Sequence, residues 1–107
     1  MDSRHQKIIS EIRASSIPVL IDFYGNWCEP CKRLSPIFED LKNKYKSKIK
    51  FVKIDINDVP ELAVDYSIRS LPSLILTYRE REIMRIVSFQ TKDALEKKID
   101  EAISGLN

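Results

Sequence analysis

Apolar residues along this chain recur with two spacings, one helical and one strand-like. Ile8, Ile9 and Ile12 mark a short amphipathic helix over residues 4–14. Val19-Leu20-Ile21 followed by Phe23-Tyr24 is a nearly continuous apolar run, the pattern of a strand covered on both faces. Leu34, Ile37, Phe38, Leu41 and Tyr45 line one side of a helix over residues 30–46. Residues 49–54 alternate with lysines and read as a strand, with Val52 and Ile54 on one face and Phe51 and Lys53 on the other. Asp58 is placed to N-cap a helix through Val59, Leu62, Ala63 and Tyr66. A strand over 74–78, a polar turn over 79–81 and a strand over 83–87 follow, and Thr91 caps a last helix that turns Leu95, Ile99, Ala102 and Ile103 inward.

Strand–helix–strand over residues 19–54 requires a right-handed crossover and parallel pairing. The last two strands are close enough in sequence to form a hairpin. The pattern therefore predicts an α/β fold, a small mixed sheet with helices on both faces. At 107 residues, without repeat or linker, the chain reads as one domain spanning 1–107.

Composition narrows the function. Two glycines, against roughly 7% in average usage, exclude collagen-like and Gly-linker readings. Eighteen basic against sixteen acidic residues give a net charge of +2, which argues against a dedicated nucleic-acid binder. No stretch approaches a membrane span, and the first eleven residues lack the apolar core of a signal peptide. A cytoplasmic, reducing compartment is the default expectation. There, a lone Cys-x-x-Cys pair is more often catalytic or metal-binding than structural.

The pair is Cys28 and Cys31. Residues i and i+3 in a first helical turn lie about 5–6 Å apart between Cβ atoms, so a small adjustment lets the two sulfurs bond or separate. Following a strand, Cys28 falls at a helix N-terminus, where unpaired N–H groups and the positive dipole end favour thiolate. Pro30 fits the first turn, where a missing N–H costs little. An exposed, low-pKa thiolate with a resolving thiol one turn on is what disulfide exchange needs. A zinc site would need about four ligands, and His5 is the only other soft candidate, on a different helix. Inert burial of both thiols fits poorly with the flanking Trp27, Glu29 and Lys32.

The segment Asp22-Phe23-Tyr24-Gly25-Asn26-Trp27-Cys28-Glu29-Pro30-Cys31-Lys32 closely resembles the active-site segment of thioredoxins. Phe51-Val52-Lys53-Ile54-Asp55, Tyr66-Ser67-Ile68-Arg69-Ser70-Leu71-Pro72-Ser73 and Lys92-Asp93-Ala94-Leu95 fit the family in the same order, so the resemblance covers about residues 15–104. It implies a protein-disulfide reductase in which Cys28 attacks and Cys31 resolves. It also implies disulfide-containing protein substrates, no bound cofactor, and electrons from a flavin- and NADPH-dependent thioredoxin reductase. No nucleic-acid or membrane partner is expected, and the protein is expected to be a monomer. A reading from another class is a binding module that presents a Trp27–Pro72 surface, with redox secondary.

Other residues support the chemistry. Asp22 interrupts an apolar strand, so burial should raise its pKa unless it is paired. From there it could take the proton from Cys31 during resolution. Lys53, on the neighbouring parallel strand, is the natural counter-charge, and the resemblance points to the same pair. X-Pro bonds are trans in the great majority of cases, but the thioredoxin proline matching Pro72 is cis and lies against the cysteines. The resemblance further implies that Leu71 offers its backbone to a substrate strand. Trp27 reads as an apolar contact surface for substrate. Pro36, inside an otherwise periodic helix, should kink it. Lys42, Lys44, Lys46, Lys48 and Lys50 read as a solvated helix end rather than an anion site.

The sequence departs from the family pattern where glycine is usual. Glu29 stands between the cysteines and should raise the Cys28 pKa and disfavour acidic substrate segments. Ser70 and Ser88 replace glycines near the substrate groove, and Arg79-Glu80-Arg81 replaces an Asn-Gly-type turn. A restricted substrate range is the expected consequence. Only 27 residues precede Cys28, too few for the family's first strand and first helix together. The expected sheet therefore has four strands, without the family's first edge strand, and residues 49–55 form one edge.

Overall fold

The computed structural model describes residues 3–106. Its elements are α1 (Ser3–Ala14), β1 (Val19–Tyr24), α2 (Glu29–Tyr45), β2 (Lys50–Asp55), α3 (Pro60–Asp65), β3 (Ser73–Tyr78), β4 (Arg81–Val87) and α4 (Lys92–Ser104). The sheet order is β2-β1-β3-β4, with β1 parallel to β2, and β3 antiparallel to both β1 and β4. Strand β2 forms one edge, and residues 3–14 are helical, so among the described residues no further strand covers that edge.

The two faces of β1 divide the core. Leu20 packs with Leu34, Phe38 and Leu41 of α2 and with Leu95 and Ile99 of α4. Val19, Ile21 and Phe23 pack on the other face with Ile12 of α1 and with Val59 and Leu62 at α3. Full burial of one such Leu, Ile or Phe contributes roughly 1.5–3 kcal/mol, and these side chains are all at most 7% exposed. Phe51 joins the first cluster and Val52 and Ile54 the second, as the alternation in β2 predicts. Because Asp22 shares the pleat of Leu20, its carboxyl lies on the α2 side of the sheet.

Helix α2 runs unbroken through Pro36, which lacks the N–H that would bond the Lys32 carbonyl. Its far end is tied to α4 by the Tyr45 hydroxyl donating to Asp100 Oδ1 at 2.6 Å. Thr91 caps α4 as expected, its Oγ1 accepting the Ala94 N–H at 3.2 Å.

Two local expectations need correction. Asp58 does not cap α3: Val59 holds the N-cap position without a side-chain hydrogen bond, and Pro60 opens the helix. Proline's fixed φ and missing N–H suit the first helical position, while the Asp58 carboxylate pairs with Arg4 at 2.5 Å. Strand β4 also starts earlier than residue 83, because Arg81 pairs directly with Tyr78. The turn is thus two residues long, with φ of 50° at Arg79 and 66° at Glu80. Positive φ at both central residues is type I′ geometry, built here without asparagine or glycine.

Candidate active site

The site forms where β1 ends and α2 begins. The Cys28 N–H donates to the Gly25 carbonyl at 3.2 Å, closing a tight turn out of the strand. Cys28 is then the N-cap of α2, with φ −92° and ψ 108°, and its sulfur accepts the Cys31 N–H at 3.2 Å. Pro30 occupies the first turn, as expected. The sulfurs of Cys28 and Cys31 are joined in a disulfide with a Cα–Cα distance of 5.2 Å.

The expectation of an exposed thiol is corrected. Cys28 is 5% and Cys31 6% exposed, whereas the neighbouring Trp27 is 66% exposed. The turn tucks the sulfurs against the end of the sheet and leaves the indole to meet solvent. Gly25 makes this packing feasible: a Cβ there would lie 3.0 Å from the Trp27 ring and 3.3 Å from Leu71 Cδ1.

Asp22 is buried on the same side of the sheet, and its Oδ1 has no hydrogen-bond donor. Burial pushes its pKa up from 3.8 to about 6, against the opposing attraction of Lys53. Lys53 lies directly across the β1–β2 register from Asp22. Its ammonium nevertheless turns to Ser35 Oγ at 3.1 Å and to the Tyr24 ring at 4.8 Å. The pair therefore interacts through space rather than by a hydrogen-bonded bridge. Tyr24, Cys31, Lys32, Ser35 and Lys53 line a cavity of about 180 Å³. Ser35 escaped the sequence reading, although its place four residues after Cys31 on α2 puts both on one helix face.

The Leu71–Pro72 bond is cis. The Pro72 carbonyl accepts the Ser88 N–H at 3.0 Å, and the Ser73 hydroxyl donates to the Ser70 carbonyl at 2.7 Å. Trp27, Ile56, Ile68, Arg69, Ser70 and Leu71 border a largely apolar groove of about 330 Å³. Ile56, Ile68 and Arg69 were not singled out from sequence. Their part depends on where the loops before and after α3 fold back, which periodicity does not report.

The thioredoxin family profile matches residues 2–101. The chain belongs to the thioredoxin family. It is 35% identical over 94 residues to a thioredoxin of Porphyra purpurea, covering 88% of each chain. It is 34% identical over 94 residues to thioredoxin C-2 of Corynebacterium nephridii, covering 88% of this chain and 87% of that one. A bifunctional thioredoxin reductase/thioredoxin of Mycobacterium leprae is 31% identical over 98 residues, covering 92% of this chain and 21% of the relative.

With its disulfide-forming pair in this fold, the chain is a thiol–disulfide oxidoreductase, a protein-disulfide reductase of the thioredoxin type. No helix among the described residues is long and apolar enough to cross a membrane. Two departures from the thioredoxin pattern acquire a geometry. Ser88 has φ 75°, a left-handed conformation in which glycine is unstrained. Glu29 makes an ion pair with Lys32 at 3.2 Å, so its charge beside Cys28 is locally matched.

Proposed function

We propose that Cys28 is the attacking sulfur, Cys31 the resolving one, and Asp22 the base that serves Cys31. The observation that carries this assignment is the N-cap position of Cys28, whose sulfur accepts the Cys31 N–H. In the reduced protein that N–H and the helix dipole stabilise the Cys28 thiolate. The thiolate attacks one sulfur of a substrate disulfide, a mixed disulfide forms, and the other substrate sulfur leaves as thiolate. Asp22, directly or through a water, takes the Cys31 proton, and Lys53 holds the resulting charge balance. The Cys31 thiolate then attacks Cys28 Sγ, regenerating the Cys28–Cys31 disulfide and releasing the second substrate thiolate. Two electrons pass from the protein to the substrate, and the chain ends oxidised.

Trp27, Glu29, Pro30, Ser70, Leu71, Pro72 and Ser88 frame the substrate surface. Sheet pairing of β3 starts at Ser73, so the Leu71 backbone stands ahead of it and can pair with an extended substrate segment. The electrons come from an NADPH-dependent thioredoxin reductase, a reading supported by the relative that carries both activities in its name. The protein works as a monomer in the cytoplasm, in electron transport to disulfide-containing proteins.

A Cys31→Ser trap tests the assignment. Mixed disulfides should accumulate through Cys28, and Cys28→Ser should capture none. Binding that survives Cys28→Ser would instead indicate a module for which redox is secondary. NADPH oxidation with a thioredoxin reductase and a disulfide substrate tests the electron source, and absence of turnover would refute it.

A further inference from the structure

Two arginines without an ion-pair partner among the described residues flank the Leu71–Pro72 segment. Arg69 borders the groove on the side of Trp27 and Leu71. Arg33 projects from α2, its guanidinium carbon 4.7 Å from the centre of the Phe89 ring. Phe89 follows Ser88, whose N–H donates to the Pro72 carbonyl, so the Phe89 ring ties Arg33 to the backbone beside Pro72. Stacking on an aromatic ring orients a guanidinium without neutralising it, and its N–H edges stay available for a carboxylate. The exposed carboxylate nearest the sulfurs in sequence, Glu29, is matched by Lys32. Asp22 is 1% exposed, so its carboxylate is not displayed at the rim.

We propose that Arg33 and Arg69 make the reductase selective for disulfides set in acidic segments of protein substrates. The proposal rests on the redox reading above and adds the substrate's charge. It also reverses the expectation, drawn from Glu29 alone, that acidic segments are disfavoured. Opposite charges about 7 Å apart in water attract enough for roughly a threefold gain per contact, and two contacts give roughly five- to tenfold. The gain belongs mainly to encounter, so salt should erase it.

The test uses three short peptides, each closed by one disulfide and differing only in flanking residues: glutamates, glutamines or lysines. Second-order rate constants for their reduction by the dithiol protein are measured at low and high salt. Wild type should reduce the glutamate peptide roughly five- to tenfold faster than the glutamine peptide at low salt, with the ratio approaching one at high salt. Arg33→Glu/Arg69→Glu should invert the ratio, and Arg69→Gln alone should lower it roughly threefold. Lys46→Glu/Lys48→Glu makes the same change in net charge just past the far end of α2, about 20 Å from Arg33, and should leave the ratio as in wild type. A wild-type ratio of one overturns the proposal. So does a ratio that follows net charge, falling equally in the remote variant. Failure to reduce even the glutamine peptide overturns the redox reading itself, and this proposal with it.

Discussion

Replacing Asp22 by asparagine should change the stability of the disulfide form by an amount that depends on pH, to the advantage of asparagine as pH rises. Burial raises the Asp22 pKa from 3.8 to about 6 in the folded protein. Below about pH 3.8 the carboxyl is protonated in both folded and unfolded chains, so its ionisation costs the fold nothing. Between 3.8 and about 6 the unfolded chain ionises while the native state still holds its proton, and native stability falls. Above about 6 the loss is complete. At about 1.4 kcal/mol for each tenfold change in proton affinity, the loss is about 3 kcal/mol.

Asparagine removes this loss but adds a buried amide whose hydrogens need acceptors, a cost of about 1–3 kcal/mol that is independent of pH. The quantity to measure is therefore the difference between Asp22→Asn and wild type, compared at two pH values. Urea unfolding with the disulfide intact should show Asp22→Asn gaining about 3 kcal/mol relative to wild type between pH 3.5 and pH 8. Near neutral pH that is a sizeable part of the roughly 5–15 kcal/mol that holds such a domain folded. A difference that does not change with pH would refute the reasoning, because it would mean that the carboxyl ionises equally in both states. The same variant should release substrate from the mixed disulfide roughly a hundredfold more slowly, having lost the base for Cys31.

Three smaller tests follow from local geometry. Thr91→Ala should cost about 1 kcal/mol in chemical denaturation, because it removes the acceptor of the Ala94 N–H. Arg79→Asn/Glu80→Gly should stabilise the hairpin by about 1 kcal/mol by relieving two left-handed non-glycine residues, and an unchanged melting temperature would count against it. Glu29→Gly should lower the Cys28 pKa, because it removes a carboxylate beside the thiolate and leaves the Lys32 charge unopposed, whereas Glu29→Gly/Lys32→Ala, which removes both charges, should shift it less. Thiolate absorbance across pH reads both.

The elements legible in the sequence are those whose boundaries depend on burial alone. Leu34, Phe38, Leu41 and Tyr45 define α2 because one helix face must meet the sheet, and all four are buried. The central place of β1, between β2 and β3, follows for the same reason, since its continuous apolar run is buried on both faces. Sequence pattern and structure part where two local preferences compete. At α3 the capping preference of Asp58 lost to Pro60, whose ring geometry dictates where the helix starts. The cis bond before Pro72 opposes the intrinsic preference of the dipeptide, and only the family resemblance implied it.

The active site divides along the same line, into residues fixed by neighbours in sequence and residues fixed by distant ones. Cys28, Pro30 and Cys31 occupy the positions expected of them because a strand–turn–helix boundary sets all three within one helical turn. Lys53 is the counter-charge expected for Asp22, lies across the register from it and lowers its pKa, yet Ser35 and Tyr24 take its ammonium. Register fixes the backbone spacing of a pair but leaves a long lysine stem free to choose among acceptors on other elements. Arg33 and Phe89 show the limit more plainly. The helical period says only that Arg33 lies off the buried stripe, and nothing near it in sequence announces a ring 56 positions later. Reactive groups can thus be read from local spacing, whereas the surroundings that tune their charge and choice of substrate are long-range contacts. Those contacts govern Asp22's proton and the charge of the groove, and so the most informative variants here are Asp22→Asn and Arg33→Glu/Arg69→Glu rather than further changes to the cysteines.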